Sequence, residues 1–389
     1  MSGVPIVLAL VLASAALSAI LCAATRSIAP RFGLVDKPGG RKNHRRPTPL
    51  GGGVAIWLTV VLMLGAGAWA VGGAGLALPP DLALHLPGLQ SRIGPMAALM
   101  GLATLIMAMG LADDRVGLGW KLRFGVQVAL SAVVAASGHR VTLFWPFDHV
   151  AISYAVTILW IVGLTNAFNF LDNMDGLAAG VGLIAALLFA IAQLEVASLF
   201  VPAVLLILVG ALAGFLAHNR YPARLFMGDA GSNFLGFLLG VLTVVGTFTR
   251  PEQGFSPYGV LTPLLVMAVP LYDTTSVILI RIREGRSPFE ADRRHFSHRL
   301  VDRGLTPRRA VLTIDLITLA CGLGALLLPR LQPAWAGVVV AQTICLLGVV
   351  ALLEVSPIRP EHRDGEARRQ HPPRAEAASG PGPVAIPEA

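Results

Sequence analysis

The sequence predicts an all-α, polytopic integral membrane protein: one bundle of about eleven transmembrane helices, N-terminus outside and C-terminus in the cytoplasm. Three observations predict it. The 389 residues are 55% hydrophobic and only 13% charged, with a mean hydropathy of +0.70, whereas soluble domains carry about 25% charged residues. Eleven apolar runs approach the roughly 20 residues needed to cross the hydrocarbon. The basic residues fall on one side of that pattern.

The runs lie at 4–24, 51–76, 94–112, 122–138, 151–169, 177–194, 199–217, 233–249, 258–280, 310–329 and 334–354, the one at 122–138 being the weakest. Of the 30 Lys and Arg, 26 follow odd-numbered runs or lie in the tail, and 4 (Arg92, Arg140, Arg250, Arg330) follow even-numbered ones. Basic residues gather on the cytoplasmic side, which sets the orientation. It also accounts for the pI of about 10.1 without nucleic acid. The first run has no basic residues before it and many after it, so a retained helix is expected rather than a cleaved leader. Cys22, Cys321 and Cys345 lie within apolar runs and form neither a disulfide framework nor a zinc motif. No internal repeat supports a symmetric transporter. Residues 1–355 form the membrane domain. The tail 356–389, rich in Pro, Ala, Arg and Glu, is expected to be a disordered cytoplasmic segment.

Four polar clusters interrupt the apolar pattern, and all follow odd-numbered runs. The first, GLADDRVGLGWKLRFGVQ (110–127), places Asp113 and Asp114 at the end of the third run. Adjacent carboxylates repel unless a cation lies beside them. A solvated loop with Arg115 as counter-ion would explain them. So would a Mg²⁺ site or a general base, with Lys121 near a phosphate. The second, TNAFNFLDNMDG (165–176), spaces Asn166, Asn169, Asp172 and Asp175 three apart. Helix capping explains one or two of these, but not four in a row. At membrane depth each needs a partner.

The third cluster, HNRYPARLFMGDAGSNFLG (218–236), sets Asp229 between Gly228 and Gly231 at a helix start. It reads as a simple N-cap, or as a place where a ligand approaches the backbone and an anion meets a helix N-terminus. The fourth, DRRHFSHRL (292–300), holds Arg294, His295 and His298. Zinc is disfavoured, because no HExxH motif or cysteine partner accompanies the histidines. Histidines and arginines around a diphosphate, or against lipid headgroups, fit better. Together the clusters supply carboxylates for a metal, cations for phosphates and amides for a polar head, all at one membrane face. Phosphoryl transfer at the lipid–water boundary needs this set.

In this order LADD, NAFNFLDNMDGLAAG, FMGDAGS and HFSHRL, with RRPTPLGGG (45–53) after the first run, resemble the polyprenyl-phosphate N-acetylhexosamine-1-phosphate transferase superfamily. The resemblance implies transfer of a sugar 1-phosphate from a UDP-N-acetylhexosamine to a polyprenyl (undecaprenyl) phosphate at a bacterial inner membrane. UMP is released, and Mg²⁺, with Mn²⁺ as an alternative, is the cofactor. It implies Asp113 as base or lipid-phosphate partner, Asp114 as its neighbour in the metal site, and Asp229 with Asn169 as metal ligands. Asp172 supports the site. Asp175, Asn219 and Phe226 resemble the uridine-binding positions. Lys121 and His295 face the phosphates, with Asn166, Arg294 and His298 assigned to substrate. Direct displacement and a phospho-aspartate route both remain open, and so does a homodimer.

Two departures stand out. Asn173 replaces a frequent Gly after Asp172. His295 and His298 are separated by Phe296 and Ser297, where the peptidoglycan-starting branch has three consecutive histidines. The second departure points away from a MurNAc-pentapeptide substrate and toward UDP-GlcNAc or a related donor, initiating an envelope polysaccharide such as lipopolysaccharide. A nucleotide-sugar or lipid transporter would instead need charges at mid-membrane depth, and only Glu195 and Asp315 stand out there.

Overall fold

The structure, a computed structural model, describes residues 3–36, 47–72, 86–141, 149–196, 199–287 and 294–355. The tail and residues 292 and 293 of the fourth cluster lie outside the described residues, as do Arg45 and Arg46. We number the helices α1 (Gly3–Ile28), α2 (Gly52–Gly72), α3 (Leu86–Val116), α4 (Trp120–Ala136), α5 (Val150–Leu171), α6 (Leu177–Glu195) and α7 (Phe200–Asn219). There follow α8 (Gly228–Val245), α9 (Thr262–Val266), α10 (Ala268–Arg283), α11 (Phe296–Asp302), α12 (Pro307–Ala325) and α13 (Pro333–Val355). The protein is therefore an all-α polytopic membrane bundle.

Among the described residues, 9 helices are long and apolar enough to span, or up to 10 if a bent pair is one span. The bend is 59° and separates α9 from α10 inside the run 258–280. Pro270 explains it: its nitrogen cannot donate to the carbonyl four residues back, at Val266, where α9 ends. The run at 122–138 forms α4, which has 17 residues.

Helix α8 is the hub. It packs on α2, α3 and α5, and 83% of its apolar window is buried inside the protein. Glycines make this closeness possible. A Cβ on Gly110 of α3 would collide with the Asp229 carbonyl, one on Gly53 of α2 with Gly231, and one on Gly236 with α5 at Leu164 and Thr165. Small residues substitute for the hydrophobic drive that lipid removes. The α1–α7 pair follows the same rule. Ser14 and Ser18 each donate to an α7 carbonyl, of Ile207 and Ala211, at 2.6 Å.

On the polar face, a two-stranded antiparallel sheet pairs β1 (Val35–Asp36) with β2 (Thr48–Pro49). The chain then clips onto the segment before α8. Phe226 N–H donates to Pro49 O (3.0 Å), and Gly52 and Gly53 N–H donate to Phe226 and Met227 O (2.9 Å each). The PTPLGGG stretch thereby fixes where α8 begins.

Candidate active site at the membrane face

The ladder of the second cluster is half helix and half turn. Asn166 and Asn169 lie in the last turns of α5, Asp172 caps it, and Asp175 lies in the turn before α6. Gly176 closes that turn at φ 81°, a conformation costly for residues with a Cβ. The four side chains therefore diverge, and each meets a different element.

Asn169 meets the start of α8. Its amide nitrogen donates to Asp229 Oδ1 (2.7 Å) and Ser232 Oγ (3.1 Å), leaving its own oxygen as a donor atom. Asp113, at the end of α3, accepts from Leu118 N–H (2.6 Å) and from Arg123 Nη1 (2.5 Å). The same Nη1 lies 3.5 Å from Asp229 Oδ2. One guanidinium thus bridges two carboxylates from α3 and α8. The Asp113 side chain is 5% exposed and that of Asp229 34%, so Asp229 is the one a ligand reaches.

Asp114 faces elsewhere. Its carboxylate accepts the backbone N–H groups of Asp229 (2.8 Å) and Ala230 (3.0 Å). Gly228 N–H is taken by Asp172. Two carboxylates from other elements therefore cap the positive N-terminus of α8, the place the sequence offers to an incoming anion. Gly228 is at φ 73°, and a Cβ there would stand 2.6 Å from Asp114 Oδ2. Burial pushes the Asp172 carboxyl up to about 7; the charges of Asp114 and Asp175 add to this, and the Gly228 N–H opposes it.

Asn166 lies below this layer in a relay of amides. It donates to Gln127 Oε1 (2.6 Å) and Val162 O (2.8 Å), Gln127 donates to Asn233 Oδ1 (3.0 Å), and Asn233 donates to Asp229 O (2.8 Å). The relay satisfies polar groups at depth and ties α4, α5 and α8 together. Both Asn166 donor bonds go to protein, so its amide nitrogen braces α4 against α5.

Lys121 lies outside this network of hydrogen bonds. It is exposed, with its ammonium over the Trp120 ring at 5.9 Å, and the base turned toward the carboxylates is Arg123, two residues on. Arg294 is half-exposed and pairs with Glu284 at 2.9 Å. Asn219 is buried and bridges Gly176 N–H to Leu225 O, each at 2.9 Å. Asp175 accepts from Ala223 N–H at 2.8 Å. Asp175 and Asn219 thus tie the turn at Gly176 to the connection before α8 that carries Phe226.

His295 is buried beside this region, its ring 5.5 Å from Phe170, the neighbour of Asn169. Its Nδ1 lies 3.0 Å from Asp273 Oδ2. His298 is buried in the first turns of α11. Between the histidines, Ser297 donates to Asn173 Oδ1 at 2.6 Å, so the two departures noted in the sequence touch one another. Arg123, Gln127, Asn233 and Asp273 escape the sequence reading. A charge inside an apolar run is the signal that marks Asp273.

Of the charges at depth, Glu195 pairs with Arg330 at 3.4 Å at a helix end. Asp315 packs against Gly180 in a cavity of about 430 Å³ with Asp175, Arg220, Tyr221 and Arg308, and its Oδ1 has no hydrogen-bond partner.

Residues 96–247 match the sequence family described as Glycosyl transferase family 4. The chain is 31% identical over 315 residues to the "Probable undecaprenyl-phosphate N-acetylglucosaminyl 1-phosphate transferase" of Bacillus subtilis, covering 79% of this chain and 81% of that protein. It is 35% identical to the "Decaprenyl-phosphate N-acetylglucosaminephosphotransferase" of Mycolicibacterium smegmatis, covering 84% and 83%. It is 32% identical to the "Undecaprenyl-phosphate alpha-N-acetylglucosaminyl 1-phosphate transferase" of Yersinia pestis, covering 78% of each. With identity sustained over most of both chains, and with the ordered motifs assembled at one membrane face, the chain belongs to the polyprenyl-phosphate N-acetylhexosamine-1-phosphate transferase family.

Proposed function

We propose that the protein transfers N-acetylglucosamine 1-phosphate from UDP-N-acetylglucosamine to a polyprenyl phosphate, undecaprenyl in the bacterial default, and releases UMP. The reading places it in a bacterial inner membrane with eleven spans, N-terminus outside, and the site open to the cytoplasm. It starts an envelope polysaccharide. The relatives' names support the acceptor and the transferred group. The observation that carries the reading is the convergence of Asp113 and Asp229 on the Arg123 guanidinium, with Asn169 bonded to Asp229, at the ends of three membrane helices.

This donor set fits Mg²⁺, or Mn²⁺ as an alternative. Asp229 and the free oxygen of Asn169 are hard donors, with Asp113 behind them. Among the described residues no group of three or more His, Cys, Asp or Glu could hold a metal. Mg²⁺ takes few protein carboxylates and completes its shell with phosphate oxygens and water. Bound there, it would supply positive charge to the diphosphate.

The side chains do the rest. Arg123 offers the phosphates a second positive charge, and Asp113 fixes its direction through the 2.5 Å contact. The lipid phosphate oxygen attacks the β-phosphorus, and the bond to UMP breaks. Asp175, Asn219 and Phe226 border the uridine, and His295 faces the phosphates. Asn169 holds Asp229 in place.

Purified protein in detergent, supplied with polyprenyl phosphate, Mg²⁺ and sugar-labelled UDP-GlcNAc, is expected to move label into the organic phase with one UMP per label. EDTA is expected to stop it. Transfer from UDP-MurNAc-pentapeptide in preference to UDP-GlcNAc would overturn the donor assignment, and no transfer from any UDP-sugar would overturn the reading itself.

A further inference from the structure

We propose that Asp273 is the positioning residue for His295: it fixes the imidazole so that Nδ1 is held by the protein and Nε2 is presented to the phosphates. The assignment rests on the transferase reading, since His295 meets a phosphate only if the site binds one.

The geometry is specific. Asp273 lies in α10, five residues after the bend at Val266–Ala268, and its side chain is 1% exposed. A carboxylate this deep needs each oxygen engaged. Oδ2 lies 3.0 Å from His295 Nδ1, and Oδ1 accepts the Phe296 N–H at 2.6 Å. One carboxylate thus holds the imidazole and the first amide of α11 together. The His295 side chain is 8% exposed and its ring lies against Phe170. A carboxylate accepts only a proton-bearing Nδ1, which leaves Nε2 as the atom for a ligand.

Among the described residues, the charged groups packed around the pair have other partners. The buried Arg281 lies 5.4 Å over the other neighbour of His295, the Phe170 ring. Tyr272 donates to Glu354 at 2.8 Å, and Arg299 pairs with Glu354 at 3.2 Å. Asp273 is therefore the group that addresses Nδ1. Phe170 also follows Asn169, the partner of Asp229. The His295 ring therefore packs on the turn of α5 that also carries the partner of Asp229.

A double-mutant cycle tests this, using D273N, H295N and D273N/H295N in the full-length chain, with kcat and KM for UDP-GlcNAc and unfolding midpoints in detergent. D273N is expected to lower kcat about 10- to 100-fold, the usual cost of removing a histidine's orienting partner. The double variant is expected to be no worse than H295N, because Asp273 acts through the ring. D273E, which keeps the carboxylate, is expected to recover part of the loss. In ¹⁵N-histidine spectra, the signal absent from H295N is expected to report a protonated Nδ1 in the wild type and to change in D273N. A merely structural role would make the losses multiply and leave that signal unmoved, which overturns the proposal. So does full activity in H295N while the wild type transfers, and the transferase reading then survives. If the wild type transfers nothing, the reading and the role fall together. Where D273N does not fold, D273E carries the same cycle.

Discussion

Asp229 and Asp315 are both aspartates of membrane helices, and their hydrogen bonding differs. Asp229 touches Asn169 and the Arg123 guanidinium, and its backbone N–H is held by Asp114. Asp315 packs against the bare Gly180, and its Oδ1 has no hydrogen-bond partner. In a bundle where lipid offers no solvation, an acidic group built for chemistry comes with its counter-charge and donors already arranged. Asp315 instead shares a cavity with Asp175, Arg220 and Arg308, none of which donates to its Oδ1. Four polar elements end within one another's reach around α8, and the glycines that let α2, α3 and α5 approach it are what bring them there.

The largest effect that sharpens the comparison is at Arg123. R123A leaves the carboxylates of Asp113 and Asp229 facing each other without a cation. Transfer is expected to fall about 10²-fold, measured as label in lipid, with R123K recovering part of it. Equal rates would mean that the bridge is incidental. A smaller effect concerns pH. Because the Asp172 carboxyl is raised from 3.8 to about 7, the folded state binds its proton more tightly than the unfolded state does. Stability from this group is therefore present at low pH and is lost as pH rises from about 4 to about 7, then levels off. D172N is expected to flatten the fall of the unfolding midpoint across that window, and an unchanged slope would assign it elsewhere. The smallest effect is at Asp315. D315N removes a carboxylate oxygen with no donor, so the unfolding midpoint is expected to stay or rise and transfer to change by less than about twofold. A large loss of transfer would erase the contrast with Asp229.

Much of this was legible in the sequence, and the rest fails for identifiable reasons. The length and hydropathy of the apolar runs reveal the membrane bundle, because lipid imposes them on every span. Asp113, Asn169 and Asp229 stand out as polar residues at the ends of apolar runs, and the structure joins them. Asp114 is legible as a carboxylate but not as a cap, since its partners are backbone N–H groups 115 and 116 positions away. Lys121 and Arg123 are equivalent in a count of basic residues. Only the helical phase of α4, which begins at Trp120, turns the arginine inward and leaves the lysine exposed. Asp273 is legible only as a charge inside an apolar run; its contact with His295, across the loop after the bent α9–α10 pair, is a tertiary fact. Asn173 and Ser297 read as two separate departures; their contact is a tertiary fact that neither motif contains.

The most direct test of the carboxylate centre is the initial rate of GlcNAc-1-phosphate transfer by D229N beside the wild type. Both are assayed at saturating UDP-GlcNAc, polyprenyl phosphate and Mg²⁺, with folding verified by the unfolding midpoint. The geometry predicts a loss of about 10³-fold in a protein that still folds. A D229N rate equal to the wild type would contradict the assignment of the α3–α5–α8 cluster as the reaction centre.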